Sequence, residues 1–210
     1  METQKQFKRR FSFEFFPPKT DKGWEKLQGV RNTLAEVDPD FFSVTFGAGG
    51  STRDRTVQTV LDLHKRGVST APHLSCVGAT RDSIAELLDV YRDNGINRIV
   101  ALRGDMPSGM GAAGELRYAN ELVKFIREYS GDTFNIEVAA YPEFHPQART
   151  AEDDLKNFAR KVEAGANSAI TQYFFNADGY FYFIDRLEKM GVTIPVVPGI
   201  MPIVNFSNLT

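Results

Sequence analysis

Glu14 stands in the run Phe11-Ser12-Phe13-Glu14-Phe15-Phe16-Pro17-Pro18, one carboxylate among four aromatic rings at the end of what reads as a strand. An apolar setting disfavours the charged form of a carboxyl and raises its pKa. An acid tuned toward neutrality suits proton donation at physiological pH. In an extended chain Ser12, Glu14 and Phe16 share one face while Phe13 and Phe15 take the other, so two rings pack behind the strand as the carboxyl projects forward. The proline pair then ends the strand, because proline supplies no ladder donor. The plainer alternative is a strand-end glutamate turned into solvent.

Other residues capable of chemistry follow apolar runs in the same way. They are Thr45 with the loop Gly47-Ala48-Gly49-Gly50-Ser51, His73, Arg103-Gly104-Asp105, Tyr141-Pro142-Glu143-Phe144-His145-Pro146, and Gln172. The glycine loop lacks the Lys-Ser/Thr ending of a P-loop, so it reads as a turn or as a weak phosphate signal. His73 follows Pro72 within an apolar run and fits a packed core histidine as well as a ligand contact. His64, His73 and His145 lack metal-ligand spacing, and no metal site is expected. Arg103 and Asp105 could form a structural ion pair, but Gly104 between them permits close approach of a ligand to the backbone. Tyr141 and His145 offer a stacking surface with hydrogen-bonding tips. The Gln172 amide both donates and accepts, which suits the edge of a heterocycle.

The elements that must position these residues alternate along the chain. Strand-like runs occur at Phe11 to Phe16, Phe41 to Phe46, Ala71 to Cys76, Arg98 to Leu102, Ile136 to Tyr141, Ser168 to Phe174 and Ile194 to Pro198. Between them, apolar residues recur near the helical period, as in Trp24, Leu27, Val30 and Leu34, or Leu122, Phe125, Ile126 and Tyr129. Gly67, Gly95, Gly165 and Gly191 each fall between a helical pattern and the next strand, the place of a left-handed C-terminal cap. Uninterrupted alternation argues for a parallel sheet with helical crossovers. No G-x-G-x-x-G follows the first strand, as a dinucleotide-binding doubly wound fold would require. The expected fold is therefore α/β, a (β/α)8 TIM barrel with about seven βα units present and the helix after the seventh strand and the eighth unit missing. A polar tail is expected over residues 1–10 and the barrel over 11–210. In such barrels the active site collects at the C-terminal ends of the strands, where the residues above lie, except His64, which falls in a helical pattern.

Composition narrows the class. The chain has 210 residues, 42% hydrophobic and 25% charged, with a net charge of −2, an ordinary soluble domain with no basic excess for nucleic acid. Lys8-Arg9-Arg10 reads as part of a solvated tail. One cysteine, Cys76, excludes an intrachain disulfide framework and reads as a packing residue. No apolar stretch is long enough for a bilayer span or signal peptide, so no membrane partner and a cytoplasmic location are expected.

Phe13-Glu14-Phe15-Phe16-Pro17-Pro18, Ser43-Val44-Thr45-Phe46-Gly47-Ala48, Ala71-Pro72-His73-Leu74, Ala101-Leu102-Arg103-Gly104-Asp105, Ala140-Tyr141-Pro142-Glu143 with His145-Pro146, and Ile170-Thr171-Gln172 occur in this order. Together, from Ser12 to Asn205, the sequence resembles the methylenetetrahydrofolate reductase family, in particular the short bacterial form without the regulatory domain of eukaryotic members. The resemblance implies reduction of methylenetetrahydrofolate to methyltetrahydrofolate in one-carbon metabolism and methionine biosynthesis. FAD would be reduced by NADH or NADPH and would then pass hydride from its N5 to the one-carbon unit. Glu14 matches the general acid that opens the substrate's five-membered ring to an iminium ion. Asp105 matches the acidic residue near flavin and pterin, and Gln172 a pterin contact. Thr45, His73, Arg103, Gly104, Asp105, Tyr118, Ala119, Tyr141, His145, Gln147, Ala148, Asp154, Asn157, Arg160 and Lys161 fall where the family contacts FAD. Arg160 and Lys161 would balance the pyrophosphate, or form a solvated helix end.

One departure is expected to matter. The family's last strand, and an aromatic that stacks on nicotinamide or folate in the helix after Asn205, are absent, and an open sheet edge invites self-association. Two further readings remain: a non-catalytic flavin- or folate-binding fragment, and another flavin barrel such as proline dehydrogenase, which explains Glu14 poorly.

Overall fold

The computed structural model describes residues 1–46, 50–105, 114–143 and 145–203, with residues 50–52 described through their backbone only. Seven strands, β1 (Ser12–Phe15), β2 (Phe41–Val44), β3 (Thr70–Ser75), β4 (Arg98–Leu102), β5 (Asn135–Ala140), β6 (Ser168–Thr171) and β7 (Val196–Val197), form one sheet in chain order. Every neighbouring pair is parallel. Helices α2 (Asp21–Ala35), α3 (Gly50–Lys65), α4 (Arg81–Asp93), α5 (Ala119–Ser130), α6 (Ala151–Glu163) and α7 (Ala177–Lys189) make the six crossovers, and a short α1 (Glu2–Lys5) precedes β1. This is the TIM-barrel-like arrangement that the alternation implies. Among the described residues β1 and β7 form no ladder with each other, so eight-strand closure is not part of it. Residues 204–210, which follow the seventh strand, lie outside the described residues.

Local chemistry sets the element ends. Thr20, Thr80, Thr150 and Asn176 are N-caps of α2, α4, α6 and α7, and their side chains accept hydrogen bonds from Gly23 N, Ser83 N, Asp153 N and Asp178 N. Each such cap is worth about 1 kcal/mol. At the other ends Gly67, Gly95, Gly165 and Gly191 adopt φ of +91°, +80°, +113° and +75°, the left-handed conformation expected of them.

The register separates two faces. Phe42, Val44, Leu74, Cys76, Ile99, Ala101, Ile136, Val138 and Ala169 pack outward against helix residues including Leu63, Ile84, Leu88, Leu122, Ile126, Phe158 and Ile184, and form the main core. Removal of each large apolar side chain from water supplies roughly 1.5–3 kcal/mol. The inner face is narrower and more polar. Phe41, Ala71 and Val100 cluster there with Leu102 and Ile170, with no helix residue among them. Beside them Glu137, 2% exposed, takes hydrogen bonds from Arg98 Nη1 and Ser168 Oγ, and the Arg98 guanidinium lies 4.6 Å from the Phe41 ring centre.

The first ten residues are only partly solvent-borne. Thr3 donates from its N and Oγ1 to Glu188 Oε1 at 2.8 and 2.7 Å. The Gln4 amide bonds Ile194 O at 3.1 Å and accepts from Val196 N at 2.9 Å, satisfying backbone groups on the edge of β7. Lys8, Arg9 and Arg10 are exposed as expected, with Arg10 beside Asp40 at 3.4 Å.

Candidate functional site

Ladder register places the candidate residues on one wall. Glu14 pairs with Ser43 and Ser43 with Ala71, while His73 pairs with Val100 and Val100 with Glu137. Side chains alternate along each strand, so Glu14, Ser43, His73 and Ser75 face inward with Ala139, Ile170 and, past the strand ends, Tyr141 and Gln172.

Glu14 projects inward from β1. Phe13 and Phe15 pack behind it on Phe42, with ring centres at 6.2 and 5.1 Å. Phe11 and Phe16 are exposed, so only two of the four rings shield the strand, and both lie on the opposite face from the carboxyl. The carboxyl is desolvated by the inner wall instead, and that burial pushes its pKa up. Its Oε2 lies 3.5 Å from His73 Nε2, with the His73 side chain 9% exposed and that of Glu14 50% exposed. Burial holds the imidazole neutral by lowering its pKa to about 4.

Thr45 is pinned just beyond β2. Its N donates to Phe15 O at 2.9 Å, and its carbonyl accepts from Thr56 Oγ1 at 3.0 Å. Residues 47–49 of the glycine loop lie outside the described residues, while Gly50 and Ser51 open α3.

Past β4, Arg103 O accepts from Ser75 Oγ at 2.8 Å and from Val77 N at 2.9 Å. Gly104 follows with φ of +84°, and a Cβ there would sit 1.9 Å from Ser75 Oγ. Glycine is therefore required at this turn by both conformation and space. Arg103 and Asp105 are not paired. The guanidinium instead donates from Nη2 to Gln147 Oε1 at 2.6 Å. Asp105 is exposed, and its charge is felt at Tyr141 and His145.

The loop after β5 and the start of α6 form a connected group. The Tyr141 and His145 rings meet edge-on at 4.5 Å. His145 N donates to Asp154 Oδ2 at 2.9 Å, Gln147 N donates to His145 Nδ1 at 3.0 Å, and Ala148 N donates to His145 O at 2.8 Å. Lys161 Nζ donates to Ala139 O at 2.5 Å and lies 5.2 Å from the Phe158 ring centre. Burial lowers its pKa to about 8, against a smaller upward pull from Asp154. Phe144 lies outside the described residues.

Gln172 follows β6, where its N donates to Ala140 O at 2.7 Å and its Oε1 accepts from Tyr173 N at 3.0 Å. Four candidates stand apart from this group. Tyr118 and Ala119 begin α5, with Glu121 accepting from Arg117 N and Tyr118 N, and Asn157 accepts from Arg160 Nη1 at 2.8 Å on the exposed side of α6. No motif in the sequence marks Ser75, although it follows His73 by two residues on the same strand face. A cavity of about 430 Å³ lined by Phe11, Ser12, Arg98, Glu137 and Val196 lies at the opposite, N-terminal end of the strands and includes none of the candidates.

The arrangement can offer a proton from a half-buried carboxyl, a pair of aromatic rings and a partly buried cation. Among the described residues no group of His, Cys, Asp or Glu is arranged to hold a metal, and no helix is long and apolar enough to cross a membrane.

Known proteins bear on this geometry. A 5,10-methylenetetrahydrofolate reductase of Salmonella typhimurium is 46% identical over 196 residues, covering 93% of this chain and 65% of the relative. The protein of that name from Escherichia coli matches to the same extent. Methylenetetrahydrofolate reductase (NADH) 1 of Zea mays is 40% identical, with 93% of this chain matched to 35% of the plant protein. The chain thus spans 65% of the length of its bacterial relatives. Among solved structures, an uncharacterized Clostridium thermocellum protein that binds two copies of 5-methyl-5,6,7,8-tetrahydrofolic acid superposes with a TM-score of 0.60 at 15% identity, covering 94% of this chain and 67% of that one. A phosphonopyruvate hydrolase complex with oxalate and Mg++ gives 0.63 at 8% identity, covering 94% and 77%. Likeness at such identities bears on the fold alone. The family described as methylenetetrahydrofolate reductase matches residues 1–210, and the chain belongs to that family.

Proposed function

We propose that the protein carrying this chain reduces methylenetetrahydrofolate to 5-methyltetrahydrofolate, using FAD reduced by NADH or NADPH. The observation that carries the reading is Glu14, a carboxyl on the inner wall at the strand mouth with one side against neutral His73 and the other open.

The residues present fit FAD. Tyr141 and His145 offer a ring surface, and the partly buried Lys161 has no carboxylate partner within ion-pair distance among the described residues. Thr45, His73, Arg103, Gly104, Asp105, Tyr118, Ala119, Tyr141, His145, Gln147, Ala148, Asp154, Asn157, Arg160 and Lys161 would hold it. When bound, FAD supplies hydride transfer between nicotinamide and folate.

The chain's own residues supply the proton and the electrostatics. Glu14, its pKa raised by burial, gives its proton to a nitrogen of the substrate's five-membered ring, and the ring opens to a cationic iminium. Asp105, exposed and without an ion-pair partner among the described residues, favours that cation by its negative charge. Gln172 presents an amide to the pterin edge.

Glu14→Gln tests the reading in the full-length enzyme by stopped-flow. Reduction of bound flavin by NADH should persist, because that step needs no acid, and reoxidation by methylenetetrahydrofolate should be abolished. An unimpaired folate step would remove Glu14 from the acid role.

A further inference from the structure

Glu14 and His73 sit on strands that are not adjacent, yet their side chains meet. Between the two strands on the inner wall stands Ser43, opposite Glu14, and its β3 partner Ala71 precedes His73 by two residues. Both are small, so the carboxyl and the imidazole reach one another over β2. His73 Nε2 is enclosed by protein and has no partner at normal hydrogen-bond distance among the described residues, Glu14 Oε2 at 3.5 Å being the polar atom it faces. A buried polar atom left unmet is costly, so a slight approach of the two groups is favoured.

Among the described residues little else can neutralise or charge this pair. β2 contributes Ser43 and Thr45 to the wall, and β4 contributes Val100 and Leu102. Glu137 on β5 is tied to Arg98 and Ser168, and Asp105 lies at the exposed end of β4. With the imidazole neutral, the acid form of the carboxyl has two arrangements. If Oε2 donates its proton to Nε2, the acid is turned into the wall and away from the mouth. If Nε2–H donates to Oε2, the acid's proton resides on Oε1, on the open side.

We propose that His73 is a positioning residue for Glu14, its Nε2–H donating to Oε2 so that the transferable proton is carried on Oε1 facing the mouth. The inference rests on the general-acid reading of Glu14 for its purpose, but not for its geometry. When Oε1 releases its proton to the substrate nitrogen, the O–H electron pair stays on the carboxylate. The Nε2–H bond to that carboxylate then becomes charge-assisted and stronger. His73 itself neither gains nor loses a proton.

Two NMR readouts test this without turnover. In protein labelled with ¹⁵N in the imidazoles, His73 should appear neutral with its proton on Nε2. In protein labelled at the glutamate carboxyl carbon, the Glu14 titration midpoint, assigned with Glu14→Gln, should rise by about one pH unit in His73→Leu. It should return to the parent value in His73→Gln, whose amide restores a donor near Nε2. A proton on Nδ1, or a Glu14 midpoint that is unchanged or lowered in His73→Leu, overturns the proposal. If His73→Leu does not fold, His73→Gln is set against His73→Asn, whose amide falls nearer Nδ1. Only Gln should keep the parent midpoint, and equal midpoints overturn the proposal. The two readings fail separately. Full folate reduction by Glu14→Gln would remove the acid role while leaving the coupling, and the wrong tautomer would remove the coupling while leaving the acid role.

Discussion

Ser75 and Gly104 lock the end of β3 to the turn after β4. Ser75 Oγ donates to Arg103 O at 2.8 Å, and the Gly104 backbone passes so close that a Cβ would fall 1.9 Å from the same oxygen. Arg103 and Asp105 flank this point, so the direction in which each leaves the strand depends on it.

Gly104→Ala should therefore destabilise the fold by about 2–4 kcal/mol, from a positive φ of about 1–2 kcal/mol and the steric contact. Because the clash is with Oγ, part of the cost should vanish in a Ser75→Ala background, although Ser75 Cβ at 3.1 Å remains tight. A double-mutant cycle by urea unfolding reads the coupling. Additive costs would mean that the strain lies in the backbone alone.

Arg127 ties three elements together at the far end of the sheet. Its guanidinium donates to Gly165 O at 3.0 and 2.8 Å, Gly131 O at 3.0 Å, Phe134 O at 2.8 Å and Asn167 Oδ1 at 2.5 Å. Asn167 Oδ1 also accepts from Ile136 N at 2.7 Å. Arg127→Met should cost about 2–4 kcal/mol, since carbonyls served by a charged donor lose it together. Arg127→Lys should recover little, because an ammonium cannot span the fork. Equilibrium unfolding of both variants provides the comparison.

Most of the scaffold is legible in the sequence because each signal is local. Gly67, Gly95, Gly165 and Gly191 mark their helix ends, and Arg98 to Leu102 reads as the strand it is. Strand ends are less legible: Ser168 to Phe174 reads as one run, but pairing stops at Thr171, after which Gln172 turns its amide onto Tyr173 N. The site is legible as a set of strand-end residues, not as contacts. Nothing local tells that Glu14 would meet His73 across β2, that Arg103 would choose Gln147 over Asp105, or that Glu137 would be buried with Arg98 and Ser168. Those partners are set by the ladder register, which couples residues dozens of positions apart.

Asp105→Asn should separate the two halves of the proposed reaction. Removing an exposed negative charge near Tyr141 and His145 makes bound flavin easier to reduce and a cationic substrate intermediate harder to form. The flavin potential should rise while the folate step slows. A spectroelectrochemical titration with no rise would place Asp105 away from the flavin.

Lys161 should make stability depend on pH with an unusual sign. Burial lowers its pKa from 10.5 to about 8, so between those values the unfolded chain holds a proton that the folded chain has released. Stability attributable to this residue then rises as pH climbs from 8 to 10.5, and below 8 the whole cost of burying the charge is present. Lys161→Met, which keeps the stem over Phe158 and removes the charge, should be more stable than the parent at neutral pH by about 1–2 kcal/mol. That figure is discounted for partial exposure and for the lost bond to Ala139 O. The advantage should shrink as pH rises toward 10.5. Unfolding in urea across that range, without cofactor, provides the measurement, and a gap that widens with pH would show that Lys161 is charged and satisfied in the fold. Flavin content should fall in the same variant, since Lys161 is the cation proposed to meet the cofactor's pyrophosphate.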